Sequence, residues 1–218
     1  MKTLELFAGS RSFSKEAEKS GMRTFTTDNQ NFEKIDLVCD ILEFDINKLP
    51  YKPDIIWASP PCTTFSVASM RHHWDQDRKP KSEKCKLGIK ILEKTIEIIK
   101  ELDPKYYYIE NPRGMMRKQK IMENLKFRHT VWYCQYGDKR AKPTDIWTNN
   151  PNWIPRPVCK NGNPDCHHER APRGQTIRKL KNQGIKVKMG GTQALKNNYE
   201  RSKVPNDLIK EIIKSSWK

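Results

Sequence analysis

The sequence contains no long hydrophobic run, and apolar residues make up only 35% of its 218 positions. A membrane-spanning helix needs about 20 consecutive apolar residues, so a transmembrane protein is not expected. The first residues form a polar-flanked strand pattern at Thr3–Phe7 and lack the features of a secretory signal peptide. We therefore expect a cytoplasmic protein, whose six cysteines are free, catalytic or metal-bound rather than paired in disulfides.

A glycine-rich loop of the kind that holds dinucleotide phosphates is also missing. Gly9 follows the first predicted strand, but Arg11 and Ser12 occupy the places of further glycines. Asp28 follows the second predicted strand, about 20 residues further on, where an acid can accept hydrogen bonds from ribose hydroxyls. Asp40, after the third predicted strand, is a candidate for contacting an adenine amino group. The pattern therefore favours a nucleoside cofactor without phosphates.

What the sequence does contain is an alternation of strand-like and helix-like segments. The predicted strands are residues 4–7, 23–27, 36–39, 54–58 and 106–109, and the predicted helices lie near 13–19, 92–99 and 208–213. This alternation predicts an α/β fold with a doubly wound, mostly parallel sheet. Residues 70–86, which are basic and polar, are predicted to be a mobile loop. We expect a catalytic, cofactor-binding domain at 1–148, a small irregular basic lobe at 149–191, and a C-terminal segment at 192–218 that returns to the catalytic domain.

Positive charge is in excess and unevenly placed. The formal net charge is +16, and residues 149–191 hold nine Lys or Arg against two acids, a net charge of +7. Such a segment is typical either of a surface that binds a polyanion or of a merely well-solvated one, and charge alone does not separate the two. An anionic membrane is less expected, because no basic amphipathic helix with a bulky apolar face is present.

The most informative stretch is Pro60-Pro61-Cys62, which follows the predicted strand 54–58. The prolines fix φ and remove two backbone donors, so the turn that carries Cys62 is stiff. Glu110 occupies a similar Pro-bearing turn after the next strand. A thiolate can add to an electron-poor ring, and a carboxylic acid can protonate the nitrogen of that ring. Taken alone, Cys62 fits a small buried hydrophobe and Glu110 a helix cap or surface acid, but together they indicate a nucleophilic site.

Three motifs, Leu6–Ser10, Pro60–Ser66 and Glu110–Pro112, resemble in order and spacing those of the DNA cytosine-5 methyltransferases. The chain is similar to a short, phage-type member of that family, over residues 1 to about 147 and again from about 190 to the end. Adenine and cytosine amino-methyltransferases end the corresponding strand in a Pro-Pro-aromatic turn without cysteine. The resemblance implies the fold of the class I S-adenosylmethionine-dependent methyltransferases, and DNA methylation such as that of restriction-modification, in a bacterial host cell if a phage encodes the protein.

The resemblance also implies a mechanism and a set of site residues. The target cytosine is flipped out of double-stranded DNA, Cys62 attacks C6, and Glu110 engages N3 and the exocyclic amine. C5 then takes the methyl group of S-adenosylmethionine, and loss of the C5 proton releases Cys62. Ser66 is expected at the nucleic acid and the protein is expected to be a monomer. The implied cofactor contacts are Phe7, Ala8, Gly9, Asp28, Asp40 and Pro60.

The sequence departs from the family in ways that keep other functions open. Arg140, Lys142 and Thr144 stand where a Gln-x-Arg-x-Arg element would be, and Arg140 or Lys142 is expected to stabilise the thiolate and the phosphate of the flipped base. Methylation of RNA by the same chemistry, and a non-catalytic nucleic-acid-binding protein that retains the fold, are the alternatives. The basic lobe is short for target recognition, which puts strict sequence specificity in doubt. Its candidate phosphate contacts are Arg170, Arg173, Arg178 and Lys179.

A second cluster of reactive residues lies in the basic lobe. Cys159, Cys166, His167 and His168 are candidate zinc ligands, and a short lobe with few apolar residues can need a metal to hold it together. The spacing is not that of a standard zinc finger and the fourth ligand is open. The alternative is a polar loop with incidental cysteines. The pair His72-His73 is assigned to a flap near the DNA or the active site rather than to a metal.

Overall fold

The computed structural model describes residues 1–67, 69–160, 163–168, 178, 182–184 and 198–217. Within these residues, seven strands form one sheet: β1 Lys2–Leu6, β2 Arg23–Asp28, β3 Leu37–Val38, β4 Ile55–Ala58, β5 Tyr106–Pro112, β6 Phe127–Trp132 and β7 Pro143–Thr148. The α-helices are α1 Ser12–Lys19, α2 Met70–His73, α3 Glu83–Leu102, α4 Asn198–Ser202 and α5 Asn206–Ser216. None of the described helices is long and apolar enough to cross a membrane.

The sheet has the strand order β3-β2-β1-β4-β5-β7-β6. The strands from β3 to β5 are parallel, whereas β7 runs antiparallel to both β5 and β6. The predicted mostly parallel α/β sheet is therefore confirmed, although β6 and β7 were not predicted. Because parallel strands point the same way, the carboxyl ends of β1, β2, β4 and β5 all meet at one edge, which is where ligands bind in open α/β sheets.

Helices cover both faces of the sheet, which explains why its central strands are almost continuously buried. In β4, Ile56 faces a core that includes Leu92 and Ile96 of α3. Its neighbour Trp57 points the other way and stacks on Phe13 of α1, with ring centroids 5.4 Å apart. Successive residues of one strand thus pack into two separate cores, which fixes the position of the strand end relative to both layers of helices.

The segment 70–86 is not the continuous loop that its composition predicts. It contains α2 and the first turn of α3, which begins at Glu83 because the Ser82 hydroxyl caps it by accepting a hydrogen bond from the Cys85 amide at 3.1 Å. The far end agrees with prediction, since α3 stops at Asp103, whose φ is 42° and which precedes Pro104. The cap at Ser82 therefore sets the start of α3 within a segment whose polar composition predicts a loop.

The C-terminal helix α5 closes the second face of the sheet, as the spacing of its apolar residues predicts. Leu208, Ile209, Ile212 and Ile213 are all buried in the core that contains Trp57. The end of the helix is also fixed by polar contacts, because hydroxyls of Ser215 and Ser216 pair with Asn150 and Tyr108. The division of the chain into domains stays a prediction.

Candidate active site

The turn after β4 presents Cys62 at the ligand-binding edge of the sheet. The Cys62 carbonyl accepts hydrogen bonds from the amides of Phe65 at 3.1 Å and Ser66 at 3.0 Å, which closes the chain tightly just after the two prolines. The Cys62 thiol is only partly buried. Since neither proline can donate a backbone hydrogen bond, the turn is held by its own closure and by neighbours rather than by the sheet.

Glu110 lies beside this turn because of the strand register. Ala58 of β4 pairs with Ile109 of β5, so Glu110 is the first residue beyond the parallel pairing. Its neighbour Asn111 is fully buried and donates a hydrogen bond from Nδ2 to the Pro60 carbonyl at 2.8 Å. This bond joins the turn that carries Cys62 to the end of β5. Glu110 lies within β5, where it pairs with Ile146 of β7, and not in the turn that its sequence motif predicts.

Two further side chains hold the Glu110 carboxylate, which is 5% exposed. The Tyr133 hydroxyl donates to Glu110 Oε1 at 2.9 Å, and Lys142 Nζ lies 3.7 Å from the same oxygen. Lys142 Nζ also lies 4.6 Å from the centroid of the Tyr133 ring, a cation–π distance. Burial and the negative charge of Glu110 raise the pKa of Tyr133 well above its usual value, so the phenol stays neutral and donates.

Opposing charges act on the Cys62 thiol. Its pKa is raised, chiefly by burial; Glu110 raises it further, while the positive charges of Lys142 and Arg201 lower it. Lys142 is the larger of the two lowering influences. It is placed there because it precedes β7 directly, and its carbonyl accepts a hydrogen bond from the Tyr133 amide at 3.3 Å.

Arg140, the other predicted activator, is engaged elsewhere. Its Nε donates to both carboxylate oxygens of Asp138 at 2.9 Å, and its terminal nitrogens reach the carbonyls of Arg201 and Lys203. These contacts make Arg140 a brace between the loop before β7 and the loop before α5. Of the two candidates, Lys142 is the one beside Glu110 and Cys62.

A cavity of about 460 Å³ opens next to the Cys62 turn. Four of the six predicted cofactor residues line it, and α4 contributes Tyr199 and Ser202 to its wall. Ala8 and Pro60 are buried and do not line it, although Ser59 and Pro61 on either side of Pro60 do. The lining includes Phe7, Gly9, Asp28 and Asp40 from the predicted set, together with Phe32, Ile91, Tyr199 and Ser202.

The polar groups of the cavity fit a nucleoside cofactor. Gly9 has a φ of +40° and donates its amide to Asp28 Oδ2 at 3.0 Å, which fixes the carboxylate at the end of β2. Asp28 Oδ1 accepts from the Gln30 amide at 2.9 Å, and a carboxylate bound in this way still has acceptor sites for ribose hydroxyls. Burial raises the pKa of Asp28. Asp40 uses Oδ1 to cap a helical turn at Leu42 and remains exposed at the rim.

The predicted nucleic-acid contacts are only partly described. Ser66 is half-buried and its hydroxyl lies 2.9 Å from that of Ser69, close to the Cys62 turn. Arg178 is exposed. In the flap, His73 Nδ1 bonds to the Ser82 hydroxyl at 2.7 Å, which ties it to the cap of α3. Arg170, Arg173 and Lys179 lie outside the described residues.

Three of the four predicted metal candidates lie close together, and Cys134 takes the place of the fourth, His167. Cys159, Cys166 and His168 form a cluster with Cys134, a residue that the sequence analysis did not single out. His167 is not part of the cluster and instead places Nε2 3.1 Å from the Asp138 carbonyl. Cys134, the candidate for the fourth ligand, thus lies on the short 3₁₀ helix Tyr133–Tyr136 and not in the lobe.

Comparisons with known proteins agree with this geometry. A family model described as "C-5 cytosine-specific DNA methylase" matches residues 1–131. The "Probable DNA (cytosine-5)-methyltransferase" of Frog virus 3 (isolate Goorha) is 31% identical over 98% of this chain and 99% of its own length. The chain belongs to the C-5 cytosine-specific DNA methylase family. Its class is that of the DNA (cytosine-5)-methyltransferases, for which S-adenosylmethionine is the implied methyl donor.

A solved structure with the same fold has low sequence identity to this chain. A prophage-encoded E. coli protein assigned as a DNA modification methyltransferase superposes with a TM-score of 0.51 at 14% identity, covering 73% of this chain and 52% of that one. A Spodoptera frugiperda DNMT2 variant gives a TM-score of 0.46 at 19% identity, covering 78% of this chain and 57% of that one. The chain spans just over half the length of these two structures.

Proposed function

We propose that the protein transfers a methyl group from S-adenosylmethionine to C5 of cytosine in DNA, through a covalent adduct on Cys62 formed after the base is flipped out of the duplex. The observation that carries the proposal is that the turn of Cys62 and the strand end of Glu110 are joined by the bond from Asn111 to the Pro60 carbonyl. A nucleophile and an acid at one sheet edge, beside a cavity of ligand size, are the parts that this chemistry needs.

The reaction begins with addition to the pyrimidine ring. The Cys62 thiolate forms a bond to C6, and the displaced ring electrons move toward N3, which shares a proton with Glu110. This makes C5, otherwise unreactive, a nucleophile. S-adenosylmethionine, when bound, supplies the electrophilic methyl group that C5 takes. The C5 proton then leaves to a base, the C5–C6 double bond forms again, and Cys62 departs as a thiolate.

Lys142 and Tyr133 are assigned supporting roles in this scheme. The Lys142 ammonium favours the thiolate of Cys62 and partly balances the charge of Glu110. Tyr133, whose hydroxyl donates to Glu110, keeps the carboxyl group oriented toward the place of the base. Tyr133 is thus a positioning residue, since it acts through Glu110.

The cofactor site and the DNA surface complete the proposal. Asp28 would accept hydrogen bonds from ribose hydroxyls and Asp40 from the adenine amine, at the rim of the cavity that both line. Flipping is required because the ring faces of a stacked base cannot reach a thiol on a protein turn. The basic lobe at 149–191, with Arg170, Arg173, Arg178 and Lys179, would contact phosphates, and the protein would act as a monomer.

Product analysis tests this function. The purified protein is incubated with duplex DNA and S-adenosylmethionine carrying a tritiated methyl group, and the DNA is digested to nucleosides. Label in 5-methylcytosine is expected, and its loss in Cys62→Ser, with S-adenosylmethionine affinity unchanged by calorimetry. Label in N4-methylcytosine or in tRNA alone, or DNA binding without cofactor affinity, would contradict the proposal.

A further inference from the structure

Four metal-ligating side chains from two distant parts of the sequence meet where the lobe joins the sheet. Cys134 lies on the 3₁₀ helix that follows β6, and Cys159, Cys166 and His168 lie on the segment that follows β7. One ligand atom from each falls within 4.8 Å of all the others. Three members of the cluster are buried, with exposures of 2% at Cys134 and 4% at Cys159 and His168, while Cys166 is partly exposed.

The distance between Cys159 and His168 is close to that expected for two ligands of a tetrahedral site. Bond lengths of about 2.3 Å for sulfur and 2.0–2.1 Å for nitrogen place two sulfurs about 3.8 Å apart, and a sulfur about 3.6 Å from a nitrogen. Cys159 Sγ lies 3.8 Å from His168 Nδ1. Three thiols and one imidazole are a donor set that selects zinc over the hard cations calcium and magnesium.

Alternative explanations for the cluster leave polar groups unsatisfied. All six cysteines are free, so no disulfide accounts for the cluster. His168 is 4% exposed, and its Nε2 is buried without a hydrogen-bond partner among the described residues. Burying an imidazole costs free energy unless another interaction offsets it, and ligation through Nδ1, the nitrogen 3.8 Å from Cys159 Sγ, would provide one.

We propose that Cys134, Cys159, Cys166 and His168 bind one structural zinc ion. Four protein ligands leave no open position for water or substrate, so the ion stabilises the fold rather than taking part in a reaction. The proposal does not depend on the proposed methyl transfer.

The ion would fasten the basic lobe to the part of the sheet that holds the active site. Around the cluster, the described residues form a small core of Trp132, Cys134, Ala141 and Cys159, with Cys166 against it. A zinc ion would add a further link between these two parts of the chain. Cys134 directly follows Tyr133, the donor to Glu110, so zinc would also fix the position of that tyrosine.

Two adjacent histidines offer a matched test. The full-length protein is purified under reducing conditions, dialysed against metal-free buffer, and assayed for zinc by atomic absorption. One zinc ion per chain is expected in the wild type and in His167→Ala, while His168→Ala should bind zinc at least about 100-fold more weakly. Cys85→Ala, which removes a buried cysteine outside the cluster, should retain the ion.

A second measurement keeps the test informative if a ligand variant fails to fold. Replacement of zinc by cobalt(II) in the wild type should give the intense visible bands of a tetrahedral thiolate site, and bound zinc should protect Cys134, Cys159 and Cys166 from alkylation until a chelator is added. Wild-type protein without zinc, an octahedral cobalt spectrum, or equal zinc loss in His167→Ala and His168→Ala would overturn the proposal.

Discussion

The charges of Lys142 and Glu110 act on the pKa of the Cys62 thiol in opposite directions, in addition to the larger effect of burial. Burial and Glu110 raise the pKa of its thiol, while Lys142 lowers it. The thiolate is the nucleophile, so a raised pKa limits the reactive fraction near neutral pH. In the proposed mechanism, the Lys142 charge therefore supplies part of the thiolate stabilisation that the arginines of a Gln-x-Arg-x-Arg element would give.

The two charges predict shifts of opposite sign. In Lys142→Met the pKa of Cys62 should rise, so alkylation of Cys62 by iodoacetamide should need a higher pH. In Glu110→Gln the pKa should fall, so the thiol should alkylate at a lower pH even though methyl transfer is lost. The measurement is the pH dependence of the alkylation rate, followed by mass spectrometry of the peptide that contains Cys62.

The control removes the same charge from the surface. Lys139 is exposed and close in sequence to Lys142, so Lys139→Met should leave the alkylation profile of Cys62 unchanged. Shifts of the same sign in Lys142→Met and Glu110→Gln would show that the two charges do not act on the thiol as described.

At the residue scale, sequence reasoning reached only part of the site. Cys62 and Glu110 could be predicted because each stands in a short motif whose chemistry is local. Tyr133 and Cys134 could not, since each acquires its role from partners 23 or more residues away. The choice of Lys142 over Arg140 as the proposed activating cation depends on the bonds that hold Arg140 to Asp138.

Among the elements, β4 and β5 are the two that place the chemistry. Their parallel register brings the Cys62 turn and Glu110 to one edge, and a single side-chain bond from Asn111 to the Pro60 carbonyl joins them. The Cys62 turn is also held by the Met115 amide, which donates to the Phe65 carbonyl at 2.7 Å, and by the Trp74 ring, whose Nε1 donates to the Thr64 carbonyl at 2.7 Å. The Asn111 bond is the contact that links this turn to the strand that carries Glu110.

Asn111→Ala should slow methyl transfer more than it destabilises the fold. Loss of one buried hydrogen bond costs about 1 kcal/mol, whereas a small displacement of the nucleophile can lower the rate by about 100-fold. We expect kcat to fall by about tenfold or more, with the affinity for S-adenosylmethionine unchanged. Chemical denaturation, calorimetry and single-turnover methyl transfer measure the three quantities.

Asn149 provides a comparison at the opposite end of β5. Its side chain accepts from the Tyr107 amide at 2.9 Å and donates to the Lys105 carbonyl at 3.1 Å, far from the Cys62 turn. Asn149→Ala should lose a similar amount of stability and keep its methyl-transfer rate. If both variants lose rate equally, the Asn111 bond has no special role in placing Cys62.

The elements that escaped prediction are those whose stability is non-local. Strand β7 contains Asp145, a fully buried acid that a strand prediction would count against. It is tolerated because Arg117 forms an ion pair with it and the Thr130 hydroxyl donates to it at 2.8 Å. By contrast, β1, β4 and β5 could be predicted because they are apolar and bounded by turn residues.

For the molecule as a whole, one sheet carries both sites and two cores support it. Alternation of strands and helices was enough to predict the parallel part of the sheet, and the parallel arrangement then gathers the motifs at one edge. The elements that pack against the rest of the sheet could be predicted only in part. The helix α5 follows from its spacing of apolar residues, whereas the Cys134 cluster brings together the 3₁₀ helix after β6 and a lobe whose sequence shows no periodicity.

The central claim is that Cys62 attacks C6 of a cytosine in DNA, and trapping tests it most directly. When fluorine replaces hydrogen at C5, the final elimination cannot occur, so the adduct should persist. With S-adenosylmethionine and DNA containing 5-fluorocytosine, we predict a protein–DNA complex that survives denaturation and carries its linkage on the Cys62 peptide. The complex should be absent in Cys62→Ser and without the cofactor. A wild-type protein that methylates ordinary DNA but forms no such complex, or a complex that persists in Cys62→Ser, would contradict the account.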